Sequence, residues 1–270
     1  MMLELLESYG FPDLGFSTRL RQMLEDLSSE GKWRPCFSLG CARLIGVTML
    51  ASFQRIAKHS VRVLLCHARL ALTKVIDDPV EFCLNNAIRP LQVPSELRRL
   101  GGVISALKPK HAMEIGTRNG GTLFILCRLA DPEATVISMD LPGGNYGGGY
   151  SQLLVPLFKK FPQARQELKL LRQDSHLAES FTAVKGICTT LDYLFIDGDH
   201  TYAGVKQDFE TYGRLTRSGG IVAFHDILPD RKDPTNEVHR FWNEIKFKYR
   251  YTEIIEDSQQ DWGGIGVLHI

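Results

Sequence analysis

From about residue 97 onward the chain alternates between short apolar runs and segments of helical spacing, and this alternation constrains the fold more than any other feature. Continuous apolar runs separated by helices are typical of a parallel sheet covered by helices on both faces. The sequence therefore predicts an α/β fold with a doubly wound, mostly parallel seven-stranded sheet. The seven runs are 112–115, 134–139, 168–171, 191–196, 220–224, 251–255 and 264–270.

The last two runs are joined only by a short polar stretch around residues 257–262. A parallel crossover needs about a dozen residues or more and usually contains a helix. The sheet is therefore predicted to end in an antiparallel hairpin. A nicotinamide-binding Rossmann domain ordinarily continues with further parallel strands instead.

Residues 1–95 lack the alternation and are predicted to form a helical N-terminal extension to a sheet domain of residues 96–270. The extension is expected to shape a substrate-binding side or a subunit interface, which leaves a homo-oligomer open. Its apolar stretch 36–53 contains Arg43 and is interpreted as a buried or interfacial helix, not as a membrane span. The acidic N-terminus is unlike a secretory signal and favours a cytoplasmic location.

Bulk charge and cysteine usage exclude several classes of protein. With 32 basic and 31 acidic residues the net charge is +1, so the protein has no large positive charge that would favour binding to nucleic acid. The six cysteines form no CxxC pair and are interpreted as buried thiols, not as a zinc site or a disulfide framework.

Glycines and acids follow the first three predicted strands, where a doubly wound sheet binds its ligands. The first cluster, EIGTRNGGT at 114–122, lacks the GxGxxG pattern of dinucleotide-binding loops. Its acid suits the cationic methionine end of S-adenosylmethionine better than a pyrophosphate. Asp140 is placed to accept hydrogen bonds from ribose hydroxyls, and Asp174 to approach the adenine edge. The predicted cofactor-binding residues are Glu114, Gly116, Thr117, Gly120, Asp140, Asp174 and Asp197. The glycine-rich run 141–150 is interpreted as a lid.

The fourth and fifth strands end in a second group of polar residues, Asp197, Asp199, His200, His225 and Asp226. Converging carboxylates raise each other's pKa unless a cation neutralises them. Carboxylate oxygens are ligands that Mg²⁺ selects, so a metal site at Asp197 and Asp226 is one prediction. Two alternatives stay open, a catalytic base that works without metal and a set of solvated loop acids.

Several motifs occur in an order that resembles a known family. They are EIGTRNGGT, MDLPGGNYGGGY, LLRQDSH, LDYLFIDGDHTYAGVKQDFETY, RSGGIVAFHDI and EVHRFW. Over residues 89–270 the chain resembles bacterial class I S-adenosylmethionine-dependent methyltransferases related to sugar O-methyltransferases and the cephalosporin-hydroxylase-like group. The resemblance implies a Rossmann-like fold, S-adenosylmethionine as cofactor, and Mg²⁺ near Asp197 and Asp226. It also implies Asp199 or His200 as the base, while His225 is a further candidate base or weaker ligand.

The sequence therefore predicts an enzyme that transfers the methyl group of S-adenosylmethionine to a hydroxyl of a small molecule, either glycosyl or phenolic. The catalytic candidates are Asp199, His200 and His225. The alternatives are a nicotinamide-dependent oxidoreductase and a cofactor-binding scaffold without catalysis.

Overall fold

The computed structural model describes residues 58–73, 75–143, 154–163 and 165–270. Most of the predicted N-terminal extension, with its apolar stretch 36–53, and most of the predicted lid at 141–150 lie outside these residues. The proposed boundary between residues 95 and 96 therefore stays a prediction. Within the described part of the chain, no helix combines the length and apolar character needed to cross a bilayer.

One compact unit comprises Val63–Ile270. Residues 58–72 are helical, and the helices that follow are α1 Pro79–Leu84, α2 Pro94–Leu107, α3 Gly121–Leu129, α4 Val155–Phe158, α5 Ala178–Ile187, α6 Tyr202–Tyr212 and α7 Val238–Ile245. The strands are β1 His111–Ile115, β2 Thr135–Asp140, β3 Glu167–Arg172, β4 Leu191–Ile196, β5 Thr216–His225, β6 Arg250–Ile254 and β7 Ile265–His269. Short 3-10 helices at Gly213–Leu215 and Lys246–Lys248 follow α6 and α7.

The seven strands form one sheet in the order β3-β2-β1-β4-β5-β7-β6. The five strands from β3 to β5 pair in parallel. Strand β7 is antiparallel to both of its neighbours, β5 and β6. The predicted mostly parallel sheet and its terminal antiparallel hairpin are thus confirmed.

Alternate side chains of the central strands enter two separate cores, because successive residues of a strand point to opposite faces. On β4, Tyr193 and Phe195 pack with the core that contains α1 to α4. Leu194 and Ile196 pack with the core that contains α5 to α7. Since both faces are covered, the central strands are apolar at nearly every position.

The chain reverses its direction across the sheet between β1 and β4, which are neighbours although two strands separate them in sequence. At this switch the loops after the two strands pass very close to each other. Gly116 has φ +86°, and a Cβ atom there would lie 1.9 Å from the carbonyl oxygen of Asp197. Only glycine fits this position, so Gly116 allows the two strand ends to form one crevice.

Gly266 on β7 lies directly beneath the indole of Trp242, and a Cβ atom there would lie 2.7 Å from three ring atoms. We expect Gly266→Ala to lower the free energy of unfolding by about 1–3 kcal/mol, because a buried ring or strand must move. The measurement is urea denaturation, in which the midpoint should fall.

Gly102→Ala is the matched control, because this helical position has no atom within 4 Å of an added Cβ. It should raise the free energy of unfolding by about 0.5–1 kcal/mol through helix propensity. A Gly266→Ala variant as stable as the wild type would contradict the described packing of Trp242.

Candidate active site

A cleft of about 450 Å³ opens at the carboxyl ends of the parallel strands. Most of the predicted site residues line it, as expected for strand ends that share one edge of a sheet. They are Gly116, Thr117, Asp140, Asp174, Asp197, Asp199, His200, His225 and Asp226. Two predicted cofactor-binding residues, Glu114 and Gly120, do not line the cleft.

Asp140 organises the glycine loop from the end of β2. Its Oδ2 accepts hydrogen bonds from the backbone N–H groups of Thr117, at 3.0 Å, and of Arg118, at 2.7 Å. Arg118 is held in the left-handed region with φ 45°. Because one carboxylate oxygen fixes the loop, the other can serve a ligand in the cleft.

The side chain of Glu114 does not line the cleft. It is fully buried among Leu97, Tyr193 and Phe195, on the face of the sheet that α2 and α3 cover. Burial raises the pKa of Glu114 to about 8, although the hydroxyls of Thr122 and Thr117 act against this shift. Glu114 does not line the cleft because its position along β1 directs its side chain into the core, and its contact with a cofactor stays a prediction.

Gly120 packs closely against α4. It precedes α3 with φ +84°, and a Cβ atom there would lie 2.3 Å from the ring of Phe158 on α4. The cleft is lined instead by its neighbours Asn119 and Gly121. The ring of Phe158 covers the Cα side of Gly120, and the predicted role of Gly120 in cofactor binding stays a prediction.

Two acids and two imidazoles meet at the ends of β4 and β5. His225 Nδ1 lies 3.3 Å from Asp197 Oδ1 and 3.1 Å from Asp226 Oδ1. His200 Nε2 lies 3.5 Å from Asp197 Oδ1, and its Nδ1 lies 3.4 Å from Asp226 Oδ2. We call these four residues the polar cluster. Carboxylates and imidazoles alternate around the cluster, so each carboxylate lies next to two imidazoles.

The charges of the polar cluster stabilise one another. Burial by itself lowers the pKa of His225, but Asp226 and Asp197 raise it well above its ordinary value. Burial likewise raises the pKa of Asp197, whereas His225 and His200 lower it to a net value below the usual range. Buried charges of this kind persist only when they are paired.

Three members of the polar cluster also have the arrangement of a cation site. Asp197, His225 and Asp226 each offer a ligand atom, and these atoms lie within 4.8 Å of one another. Asp226 adopts φ 61°, a strained conformation for a residue with a side chain. Its Oδ1 lies 3.1 Å from His225 Nδ1.

Asp199 and Asp174 line the cleft but are engaged in local turns. Asp199 Oδ1 accepts the backbone N–H of Thr201 at 2.9 Å, beside the start of α6. Asp174 Oδ1 accepts the backbone N–H of His176 at 2.9 Å. Asp199 therefore stabilises its own turn. His200, the other residue predicted as the base, belongs to the polar cluster.

Three residues that sequence reasoning missed complete the site. Gln92 Nε2 donates to Asp197 Oδ2 at 2.5 Å, and Asn236 Nδ2 donates to Asp226 Oδ2 at 2.8 Å. Trp262 lines the cleft from the loop between β6 and β7. None of them ends a parallel strand, so the strand-end argument could not find them.

A further missed pair lies at the β3 end of the cleft, which His176 lines. His176 Nε2 is 3.4 Å from Oδ1 of the fully buried Asp208 on α6. Its interaction with Asp208 raises the pKa of His176 to about 8. The ion pair anchors the loop after β3 to α6.

Comparison with known proteins identifies the central part of this fold. Residues 113–227 match the family model described as a methyltransferase domain. They contain the last three residues of β1, all of β2 to β5 and all four residues of the polar cluster. The resemblance to class I methyltransferases is thus confirmed. The match also covers the glycine loop and Asp140.

Two solved structures share the fold. An O-methyltransferase from Bacillus cereus in complex with SAH has a TM-score of 0.50 and 16% identity, over 78% of this chain and 100% of that one. The O-methyltransferase TomG from Streptomyces achromogenes, in complex with SAM, has a TM-score of 0.50 and 17% identity, over 78% and 96%. At these identities the likeness concerns the fold alone.

Among curated proteins, the uncharacterised protein y4gI of Sinorhizobium fredii is 26% identical over 149 residues. The match covers 53% of this chain but only 16% of that protein's length.

The buried Glu114 makes the stability of the protein depend on pH. Its pKa is about 8 in the folded protein, above the ordinary value of 4.5. Between pH 4.5 and about 8, the Glu114 carboxyl is therefore protonated in the folded state and ionised in the unfolded state. Stability should therefore be lost as pH rises through this window, by up to about 1.4 kcal/mol per pH unit.

Glu114→Gln removes this titration. From pH 5 to pH 8, we expect the unfolding free energy of the wild type to fall relative to that of the variant. Urea denaturation at several pH values measures it. A difference that stays constant with pH would show that Glu114 is ionised in the fold.

Proposed function

We propose that this protein is an S-adenosylmethionine-dependent O-methyltransferase that acts on a small-molecule hydroxyl. One observation carries the proposal: a glycine loop fixed by Asp140 faces the polar cluster across a single cleft. The first part suits the nucleoside of the proposed cofactor. The second part can orient an acceptor and take its proton.

The cofactor-binding side is proposed to consist of the glycine loop and the ends of β2 and β3. The Asp140 oxygen that does not bind the loop can accept hydrogen bonds from ribose hydroxyls, a role that strand-end carboxylates fill in doubly wound folds. Asp174 lines the same cleft at the end of β3, where the adenine would lie. Gly116 lets the ligand approach the backbone closely.

The reaction is an in-line displacement. The acceptor oxygen forms a bond to the methyl carbon, the bond from that carbon to sulfur breaks, and S-adenosylhomocysteine leaves. The acceptor must lose its hydroxyl proton. His200 lines the cleft and is the proposed base in its neutral form, in which one ring nitrogen is unprotonated and can take that proton. Alignment of the three atoms is the main contribution that the protein has to make.

Asp197 and Asp226 are the residues proposed to hold Mg²⁺, because their oxygens and the Nδ1 of His225 lie close enough to share one ion. A bound Mg²⁺ would supply Lewis-acid chemistry that lowers the pKa of an acceptor hydroxyl. The second candidate is a metal-free site in which His225 and His200 neutralise the acids. The contacts of His225 Nδ1 with both carboxylates favour this alternative.

The two other functions make different predictions about ligands. A nicotinamide-dependent oxidoreductase would bind NAD, and a scaffold would bind S-adenosylmethionine without transferring its methyl group. Calorimetry with NAD and with S-adenosylhomocysteine, followed by a methyl-transfer assay on glycosyl and phenolic acceptors, separates all three.

Asp140→Asn should weaken the binding of S-adenosylhomocysteine by about 5- to 150-fold, equivalent to about 1–3 kcal/mol. An amide in place of the carboxylate cannot keep the bonds to two backbone N–H groups and also accept from the ribose. Titration calorimetry measures the affinity.

The control for Asp140→Asn is Asp230→Asn, since Asp230 lines the same cleft but caps its own loop at the backbone N–H of Lys232. That variant should bind as the wild type does. Equal affinity in both variants would remove Asp140 from the cofactor site.

Exhaustive chelation with EDTA should suppress methyl transfer, and added Mg²⁺ should restore it, if the metal form is correct. Asp197→Asn and Asp226→Asn should each abolish the heat of Mg²⁺ binding measured with S-adenosylhomocysteine present, whereas Asp230→Asn should retain it. Full turnover by a chelated protein that contains no metal by elemental analysis would establish the metal-free alternative.

A further inference from the structure

The loop after β3 forms one end of the cofactor cleft. We call residues 173–176 the β3 loop, and all four of them line the cleft. The proposed function places the adenine of the cofactor here, beside Asp174. The affinity for the cofactor should therefore depend on the shape in which this loop is held.

Helix α6 holds the β3 loop through three side chains. Tyr212 Oη donates a hydrogen bond to the carbonyl of Ser175, at 2.8 Å, and Gln207 Nε2 donates one to the carbonyl of His176, at 3.2 Å. The third side chain is Asp208, whose Oδ1 lies 3.4 Å from His176 Nε2. Of these three contacts, only the last joins two ionisable side chains, and one of them lines the cleft.

Asp208 lies close to two loops of the cleft. Its side chain is fully buried, and a Cβ atom at Gly198 would lie 3.6 Å from its Oδ2. Gly198 follows Asp197 of the polar cluster, so the loop after β4 packs near the same carboxylate that the β3 loop contacts. Burial raises the pKa of Asp208, and the hydrogen bond with His176 opposes this shift. A buried carboxylate keeps its charge only beside a partner of opposite charge, and His176 is that partner.

His176 lies in turn among carboxylates from three elements. The hydrogen bond with Asp208 raises the pKa of His176 to about 8, although burial acts against this shift. Asp174 on the β3 loop and Asp199 after β4 raise it further. The neighbouring Tyr212 stays neutral in this range, because burial raises its pKa. The pair is therefore charged below about pH 8, and above this value Asp208 loses its counter-charge.

We propose that His176 and Asp208 are a positioning pair for the cofactor: the charged pair holds the β3 loop in the shape that binds the adenine, and loss of the charge weakens that binding. The inference rests on the proposed function for the identity of the cofactor. It goes beyond that function by assigning a role to two residues outside the polar cluster. It also gives the cofactor affinity a pH dependence of stated sign, with full affinity below about pH 8 and a decrease as the pH rises through this value.

The affinity for S-adenosylhomocysteine, measured by titration calorimetry at several pH values, tests the pair without turnover. In His176→Gln the side chain keeps an N–H donor for Asp208 but has no charge. The wild type should bind at least fivefold more tightly than this variant at about pH 6.5, and the two affinities should agree within about twofold at about pH 9.5. Titration of the ligand and of the polar cluster is common to both proteins and cancels in the ratio.

Two further variants complete this comparison. Asp208→Asn removes the other charge of the pair and should reproduce the pH profile of His176→Gln. His269→Gln is the matched control, because His269 lies outside the cleft, where its ring contacts Thr252 Oγ1 at 3.3 Å. It should bind as the wild type does at every pH. A ratio of wild-type to His176→Gln affinity that does not change with pH would show that His176 only maintains the fold, and would overturn the proposal.

An NMR titration of the His176 ring protons, identified by their absence from the spectrum of His176→Gln, measures the same coupling from the other side. If the cofactor favours the charged pair, a saturating amount of S-adenosylhomocysteine must raise the midpoint of the His176 titration. A fivefold effect corresponds to a rise of about 0.7 pH unit. An unchanged midpoint in a protein that binds S-adenosylhomocysteine would overturn this inference alone. Absence of that binding at every pH would overturn the proposed function, and this inference with it.

Discussion

The site depends on the close passage of the loops after β1 and β4. The backbone of Gly116 lies against the carbonyl of Asp197 so closely that no side chain could be accommodated. This contact occurs where strand order reverses, the place at which a doubly wound sheet opens a crevice. It sets the glycine loop on one side of the crevice and Asp197 on the other. The cleft and the polar cluster face each other as a consequence.

Charge pairing explains how so many ionisable groups can be packed at this edge of the sheet. Each carboxylate of the polar cluster contacts two imidazoles. Gln92 donates to the other oxygen of Asp197, and Asn236 donates to the Asp226 oxygen that also contacts His200. Glu96 and Asp208 supply buried carboxylates nearby that hold two further loops in place.

How far the sequence could predict the site depends on which physical rule applied. The ends of parallel strands must share one edge, so the convergence of Asp140, Asp197 and Asp226 followed from pattern alone. The face of a side chain is harder to infer at a strand end, because one residue of displacement reverses it. For this reason the sequence could not show that the Glu114 side chain lies outside the cleft. It could not place Gly120 either, because the ring of Phe158 that packs on it comes from a distant segment.

The sequence by itself determined the order of strands and helices, the antiparallel hairpin at the end, and the polar residues that close each parallel strand. These features follow from local periodicity and from the lengths of the connections. Only the tertiary structure decided that Gln92, 105 residues away from Asp197 in the chain, hydrogen-bonds to it. It also decided that Trp262, from the loop between β6 and β7, lines the cleft. Such contacts depend on how loops cross the finished sheet, and no periodic pattern encodes that path.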